Sequence, residues 1–203
     1  MTLKVVWGIT GSGDKMPETV AVMAALADRL DLEITAAVSI AGERVLRWYK
    51  LREAVDEIAK SVKIEKDANS PFITGPLQIG QYDCLLVAPA TANSVAKIAH
   101  GIEDTMLTNA VGQTAKSTTP IYIMPVDLHP GTTVTTRPGG ERLELKIRAI
   151  DVENSNKLRA MEGITVFESP SIARSLLEFS TSIARILSSR RSPPGRVVTV
   201  VPG

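Results

Sequence analysis

The sequence predicts an α/β fold: a single domain with a three-layer, doubly wound, Rossmann-like and mostly parallel sheet. Three observations carry this. Short apolar runs recur at 3–8, 33–39, 83–88, 120–125 and 164–167, with stretches of helical spacing between them. The 83–88 run (DCLLVA) and the 120–125 run (PIYIMP) are largely apolar, as suits parallel strands covered on both faces. The first run passes at once into a glycine-rich turn, Gly8-Ile9-Thr10-Gly11-Ser12-Gly13, ahead of a helical pattern.

Taken in order, 3–8 reads as a buried strand. Its turn has the layout of a phosphate loop: glycines let the backbone approach an anion, and hydroxyls and helix-start amides supply donors. The glycines at 8, 11 and 13 match neither GxGxxG nor GxxxxGK[ST], so the turn alone could equally shape a tight strand–helix connection. Over 15–30, Val20, Met23, Ala24, Ala27 and Leu30 share one helix face. A strand at 33–39 precedes a charged amphipathic helix over 42–60, with Val45, Leu46, Tyr49, Val55 and Ile58 apolar. The strand at 83–88 ends in a turn, followed by short helices at 93–100 and 104–112, broken at Gly101. After the 120–125 strand, 127–144 holds Pro130, Gly131, Pro138, Gly139, Gly140 and many threonines, and reads as a long loop or flap. A helix at 154–161, a strand at 164–167 and a helix at 171–188 complete a domain placed at 1–189. The tail, 190–203, begins RRSPPGR and ends apolar: a linker with an added strand, or a loose end.

Composition narrows the partners. The net charge of +1 and 4% aromatic content argue against a nucleic-acid surface. No apolar run approaches the ~20 residues of a membrane span, and no leader pattern opens the chain. One cysteine, Cys84, excludes an intrachain disulfide framework, and two histidines without clustered partners argue against a metal site. These features lead us to expect a cytoplasmic protein. In α/β sheets, ligands bind at the carboxyl ends of strands. That rim would gather the turns at 8–13, 39–42 and 89–94 and the segment after Met124.

The most specific stretch is Ala88-Pro89-Ala90-Thr91-Ala92-Asn93, continuing through Asp104-Thr105-Met106 to Ala110. It resembles the PASANT-type motif of the FMN flavoprotein family that includes the cysteine decarboxylases. The resemblance spans roughly 3–185 and implies FMN as cofactor. Gly8, Thr10, Gly11 and Ser12 would then hold the phosphate, with Ser39 and Ala41 adding phosphate and ring contacts. Pro89, Ala90, Thr91 and Asn93 would face the ring, and Asp104, Thr105 and Met106 would line it. Departures matter. The decarboxylases' upstream histidine falls near Gly75-Pro76, where there is none, and their PxMN-type motif is replaced by Met124-Pro125-Val126-Asp127. The variant motifs, including WGITGSG and IYIMPVDLHPG, are similar to the dihydromethanopterin reductase and archaeoflavoprotein branch.

That branch implies FMN-dependent reduction of dihydromethanopterin. Its partners would be a pterin substrate and an electron donor, either a reduced pyridine nucleotide or a ferredoxin-like protein. It also implies a homo-oligomer of trimers, with a closed shell as one form. A flavin electron carrier and a flavin prenyltransferase or decarboxylase relative stand as alternatives. Asp127 and His129 are candidates for a proton relay, against a plain loop contact. Asn93 would also suit a helix N-cap. His100 suits a helix C-terminus, and Trp48 and Tyr49 suit core or subunit contacts.

Overall fold

The structure is a computed structural model that describes residues 2–29, 31–173 and 175–177. Its elements are β1 (Leu3–Ile9), α1 (Met16–Arg29), β2 (Leu32–Val38), α2 (Ile40–Trp48), α3 (Arg52–Ile58), β3 (Ser61–Ile64), α4 (Thr74–Gln78) and β4 (Cys84–Ala90). They continue with α5 (Ala92–Ala99), α6 (Met106–Thr114), β5 (Ile121–Pro125), β6 (Gly131–Thr136), β7 (Arg142–Ile147), α7 (Ala149–Arg159) and β8 (Ile164–Val166). Six strands form one parallel sheet in the order β3-β2-β1-β4-β5-β8. Strand order reverses between β1 and β4. There the connections leave in opposite directions and a crevice opens beyond the carboxyl ends.

Alternation within the strands builds two cores. Val5, Trp7 and Ile9 of β1 pack in one cluster with α1, α2 and α3, while Val6 packs in the other with α4, α5, α6 and α7. All seven residues of β4 are buried, which is why that run carries almost no polar side chain. Trp7, fully buried, donates its indole N–H to the Ala88 carbonyl at 3.0 Å, so its one polar atom is satisfied. Cys84 is buried in β4; burial, and then the Asp83 charge, push its thiol up to about 12, so it is no nucleophile. Among the described residues no helix is long and apolar enough to cross a membrane.

The structure corrects several expectations. The helix expected over 42–60 is two helices. Lys50 takes a left-handed conformation (φ 57°), and the Leu51 amide donates back to the Leu46 carbonyl at 2.8 Å, closing α2 before α3 begins. Strand β3 is an addition: Ser61–Ile64 has only two apolar residues and forms the sheet's edge, too short for a periodic signal. Helix α4 was also unforeseen, and α7 starts at Ala149 rather than 154.

The loop or flap expected over 127–144 is largely an antiparallel hairpin of β6 and β7, in which Thr133 pairs with Leu145 and Thr135 with Leu143. Its prolines and glycines sit at the ends and turn, whereas the intervening threonines are β-branched strand formers. The Tyr49 hydroxyl, at the end of α2, donates to the Thr136 carbonyl at 2.7 Å and pins the hairpin to the body. Residues 170–173 and 175–177 are helical; the remainder of the helix expected over 171–188 and the tail 190–203 lie outside the described residues.

Candidate functional site

Five segments meet at the sheet's carboxyl rim around a cleft of about 590 Å³. Thr10 and Gly11 come from the turn after β1, and Ser39, Ile40, Ala41 and Arg44 from the start of α2. Glu65, Lys66 and Asp67 follow β3. Thr91, Asn93 and Ser94 open α5, and Asp104, Thr105 and Leu107 open α6. The cleft therefore sits where the strand order reverses.

Three helices begin here, each with a hydroxyl cap. Ser39 Oγ accepts from the Gly42 amide at 2.9 Å, Thr91 Oγ1 from Ser94 at 3.2 Å, and Thr105 Oγ1 from Thr108 at 3.2 Å. Helix starts carry partial positive charge, so three of them, with Arg44 and Lys66 in the same lining, suit an anionic group. Glu65, Asp67 and Asp104 share that lining and offset part of the charge, Glu65 by taking the first amides of α2 and α6.

The frame beneath is hydrogen-bonded through Thr10, which is buried. Its hydroxyl donates to the Pro89 carbonyl at 2.7 Å and accepts from the Thr91 amide at 2.9 Å, tying the end of β1 to the start of α5. Glu65 bridges two more helices. Its Oε2 accepts from the Ile40 amide at 2.9 Å and its Oε1 from the Met106 amide at 2.8 Å. Asp104 receives Lys97 Nζ at 2.9 and 2.8 Å.

The Flavoprotein family model matches residues 1–189. The chain belongs to the Flavoprotein family. It is 47% identical over 168 residues to an uncharacterised protein of Methanocaldococcus jannaschii, covering 83% of this chain and 90% of that one. A protein of the same organism named dihydromethanopterin reductase (acceptor) is 29% identical over 230 residues, covering 84% of this chain and 94% of the relative. Among solved structures, Burkholderia xenovorans DmrB in complex with FMN, described as a cubic protein cage for redox transfer, superposes with a TM-score of 0.70 at 32% identity. That match covers 92% of this chain and 96% of DmrB.

In this flavoprotein, eight of the residues expected at the site line the cleft together: Thr10, Gly11, Ser39, Ala41, Thr91, Asn93, Asp104 and Thr105. The other five lie behind or beside it. Gly8 lies within β1, where an added Cβ would stand 2.9 Å from Leu107 Cδ2; it makes room for a side chain that lines the cleft. Ser12 is buried and its hydroxyl donates to the Asp14 carbonyl at 3.0 Å. Pro89 contributes the carbonyl that Thr10 holds, and Ala90 is buried opposite Pro125. The Met106 side chain is buried in the core, and its amide goes to Glu65. The cap of α5 is Thr91 rather than Asn93, which is exposed on the helix's first turn.

Neither relay candidate lines the cleft. His129 is exposed, with Nε2 3.6 Å from Glu168 Oε2. Asp127 is half-buried, and its carbonyl accepts from Ser155 Oγ at 3.0 Å. Burial first, and then the charges of Asp151 and Asp14, raise the Asp127 carboxyl above its ordinary range. The folded protein therefore takes up this proton more readily than the unfolded chain does. Stability is lost as pH rises through the folded-state value. Asp127→Asn should raise the urea midpoint at pH 7, and the gain should vanish by about pH 3, where the carboxyl is protonated in both states. Equal midpoints at pH 7 would contradict this.

Residue reading missed Arg44, Glu65, Lys66 and Leu107. Glu65 and Lys66 follow an edge strand that had no signal, and Arg44 sat within an ordinary charged helix.

Proposed function

We propose that this flavoprotein holds FMN in the rim cleft and reduces dihydromethanopterin to tetrahydromethanopterin. One observation carries the reading: three hydroxyl-capped helix starts and two basic side chains converge on one cleft at the strand-order reversal. The phosphate belongs with Ser39, Thr91 and the amides around Gly11 and Ala41. The close approach of Gly11 to Ala41 brings the β1 turn and the start of α2 together at the phosphate end, Leu107 offers the ring an apolar contact, and Asn93 and Asp104 offer polar anchors. When bound, FMN supplies hydride transfer to a C=N bond. The protein's share is binding, orientation and exclusion of water. The relative named dihydromethanopterin reductase supports the choice of pterin.

The same reading takes in a homo-oligomer. Ile40, 45% exposed on the cleft wall, and Trp48, 65% exposed two turns further along α2, are large apolar side chains that a second copy would cover. DmrB's cage supports such an assembly.

The test is anaerobic. FMN-loaded protein, photoreduced and mixed with dihydromethanopterin, should reoxidise its flavin with one tetrahydromethanopterin formed per flavin. Flavin that stays reduced removes the reductase reading. An electron carrier, passing charge between a ferredoxin-like donor and another protein, is the second reading. The description of DmrB as a cage for redox transfer supports it.

A further inference from the structure

Helices α2 and α6 both open onto the cleft, and one side chain ties their starts together. Glu65 takes the amide of Ile40 with one carboxylate oxygen and the amide of Met106 with the other, at 2.9 and 2.8 Å. Each is the first residue of its helix, while Ser39 and Thr105 take the third-residue amides of Gly42 and Thr108. Thr108 Oγ1 also accepts from the Thr105 amide at 3.0 Å, so four side chains hold the two ends, and of these only Glu65 reaches both. Because Glu65 itself lines the cleft, the bridge also puts a carboxylate on the wall that the flavin would face.

We propose that Glu65 is the positioning residue of the flavin cleft: its carboxylate fixes the starts of α2 and α6 relative to one another and holds down the reduction potential of the bound flavin. The proposal rests on FMN occupying this cleft. A carboxylate accepts at both oxygens, so one side chain can satisfy two amides that point to it from different helices. Reduction places electrons on the flavin, and a fixed negative charge beside it opposes that. At an effective dielectric of ~20, a unit charge across such a cleft is worth about tenfold in an equilibrium.

Two variants separate the bridge from the charge. In Glu65→Gln the shape is kept and the charge is lost, and the amide nitrogen meets one of the two backbone N–H groups donor to donor. In Glu65→Asp the charge is kept, but the side chain is one methylene too short to reach both amides. FMN affinity is read by fluorescence quenching and the redox balance by equilibration with a reference dye. Both variants should bind FMN about tenfold more weakly, as expected for one charge-assisted hydrogen bond. Only Glu65→Gln should move the dye equilibrium, by about tenfold toward reduced flavin. In the apo protein, the Ile40 and Met106 amide resonances should shift in both variants, which reports the bridge without cofactor.

Wild-type affinity in both variants overturns the positioning role. An unchanged dye equilibrium in Glu65→Gln overturns the electrostatic one. If wild-type protein fails to bind FMN, the cofactor reading falls and this role with it. If wild type binds FMN and the variants match it, only the role of Glu65 falls.

Discussion

Gly11→Ala is expected to weaken FMN binding about a hundredfold while the protein stays folded. A Cβ at position 11 would lie 2.5 Å from the Ala41 Cβ, 3.1 Å from its carbonyl carbon and 3.3 Å from its Cα. The obstacle is the first turn of α2, which cannot rotate aside as a side-chain tip can. That turn is also held from below. The Ser39 amide donates to the Ile9 carbonyl at 3.0 Å, and a Cβ on Gly42 would come within 2.6 Å of the same oxygen. The β1 turn and the start of α2 therefore approach at backbone contact, and an inserted methyl must push them apart. Overpacking of this kind costs ~1–3 kcal/mol. Because Gly11, Ala41 and Ser39 all line the cleft, the displacement falls on the residues proposed to hold FMN. A loss of a hundredfold in affinity corresponds to ~2.7 kcal/mol, within that range.

Gly8→Ala is the control. Its Cβ would meet Leu107 Cδ2 at 2.9 Å and Val87 Cγ2 at 3.2 Å, both side-chain ends that can shift. It should lose no more than about tenfold. Titration of apo variants with FMN, with urea midpoints alongside, measures both. Wild-type affinity in Gly11→Ala would show that the close approach has no bearing on the cleft.

The same glycines show what was legible in the sequence. Their position after an apolar strand located the rim, and the strand–helix alternation located the sheet, because both follow from residue type over short windows. The reason for Gly11 was not legible. Residue type alone suits that turn to an anion or to a tight connection, whereas the close neighbour of Gly11 is Ala41, thirty residues away and brought close only by β1–β2 pairing. Glu65 was invisible for a like reason. A glutamate after a four-residue edge strand has no local signature, and its two partners, Ile40 and Met106, come from helices far apart in sequence. The hairpin over 131–147 was lost to punctuation. Prolines and glycines at its ends outweighed a threonine run whose strand preference needs a pairing partner to be expressed.

Thr10→Val is expected to destabilise the apo protein by about 1–3 kcal/mol, measured as a fall in urea midpoint at unchanged slope. Valine has nearly the same shape, so packing is preserved and the loss isolates the hydroxyl. That hydroxyl is 2% exposed with its residue, donates to Pro89 O at 2.7 Å and accepts from Thr91 N at 2.9 Å. Without it, the Thr91 amide loses its acceptor, and the Pro89 carbonyl keeps only the longer bond from the Thr10 amide, at 3.3 Å. A buried donor left unpaired costs ~1–3 kcal/mol; the Thr91 amide is part-buried at the cleft wall, so the lost donor and the weakened acceptor together fall within that range. The consequence reaches the cleft because Thr91 caps α5. A cap whose backbone has lost its anchor no longer holds that helix start in place, so FMN affinity should fall together with stability. Thr10→Ser keeps both hydrogen bonds and sacrifices one methyl, worth ~1 kcal/mol. It should bind FMN as wild type does. Equal losses in the valine and serine variants would mean that the methyl, not the hydroxyl relay, couples β1 to the start of α5. The hydrogen-bonded frame of the cleft would then have to be assigned elsewhere.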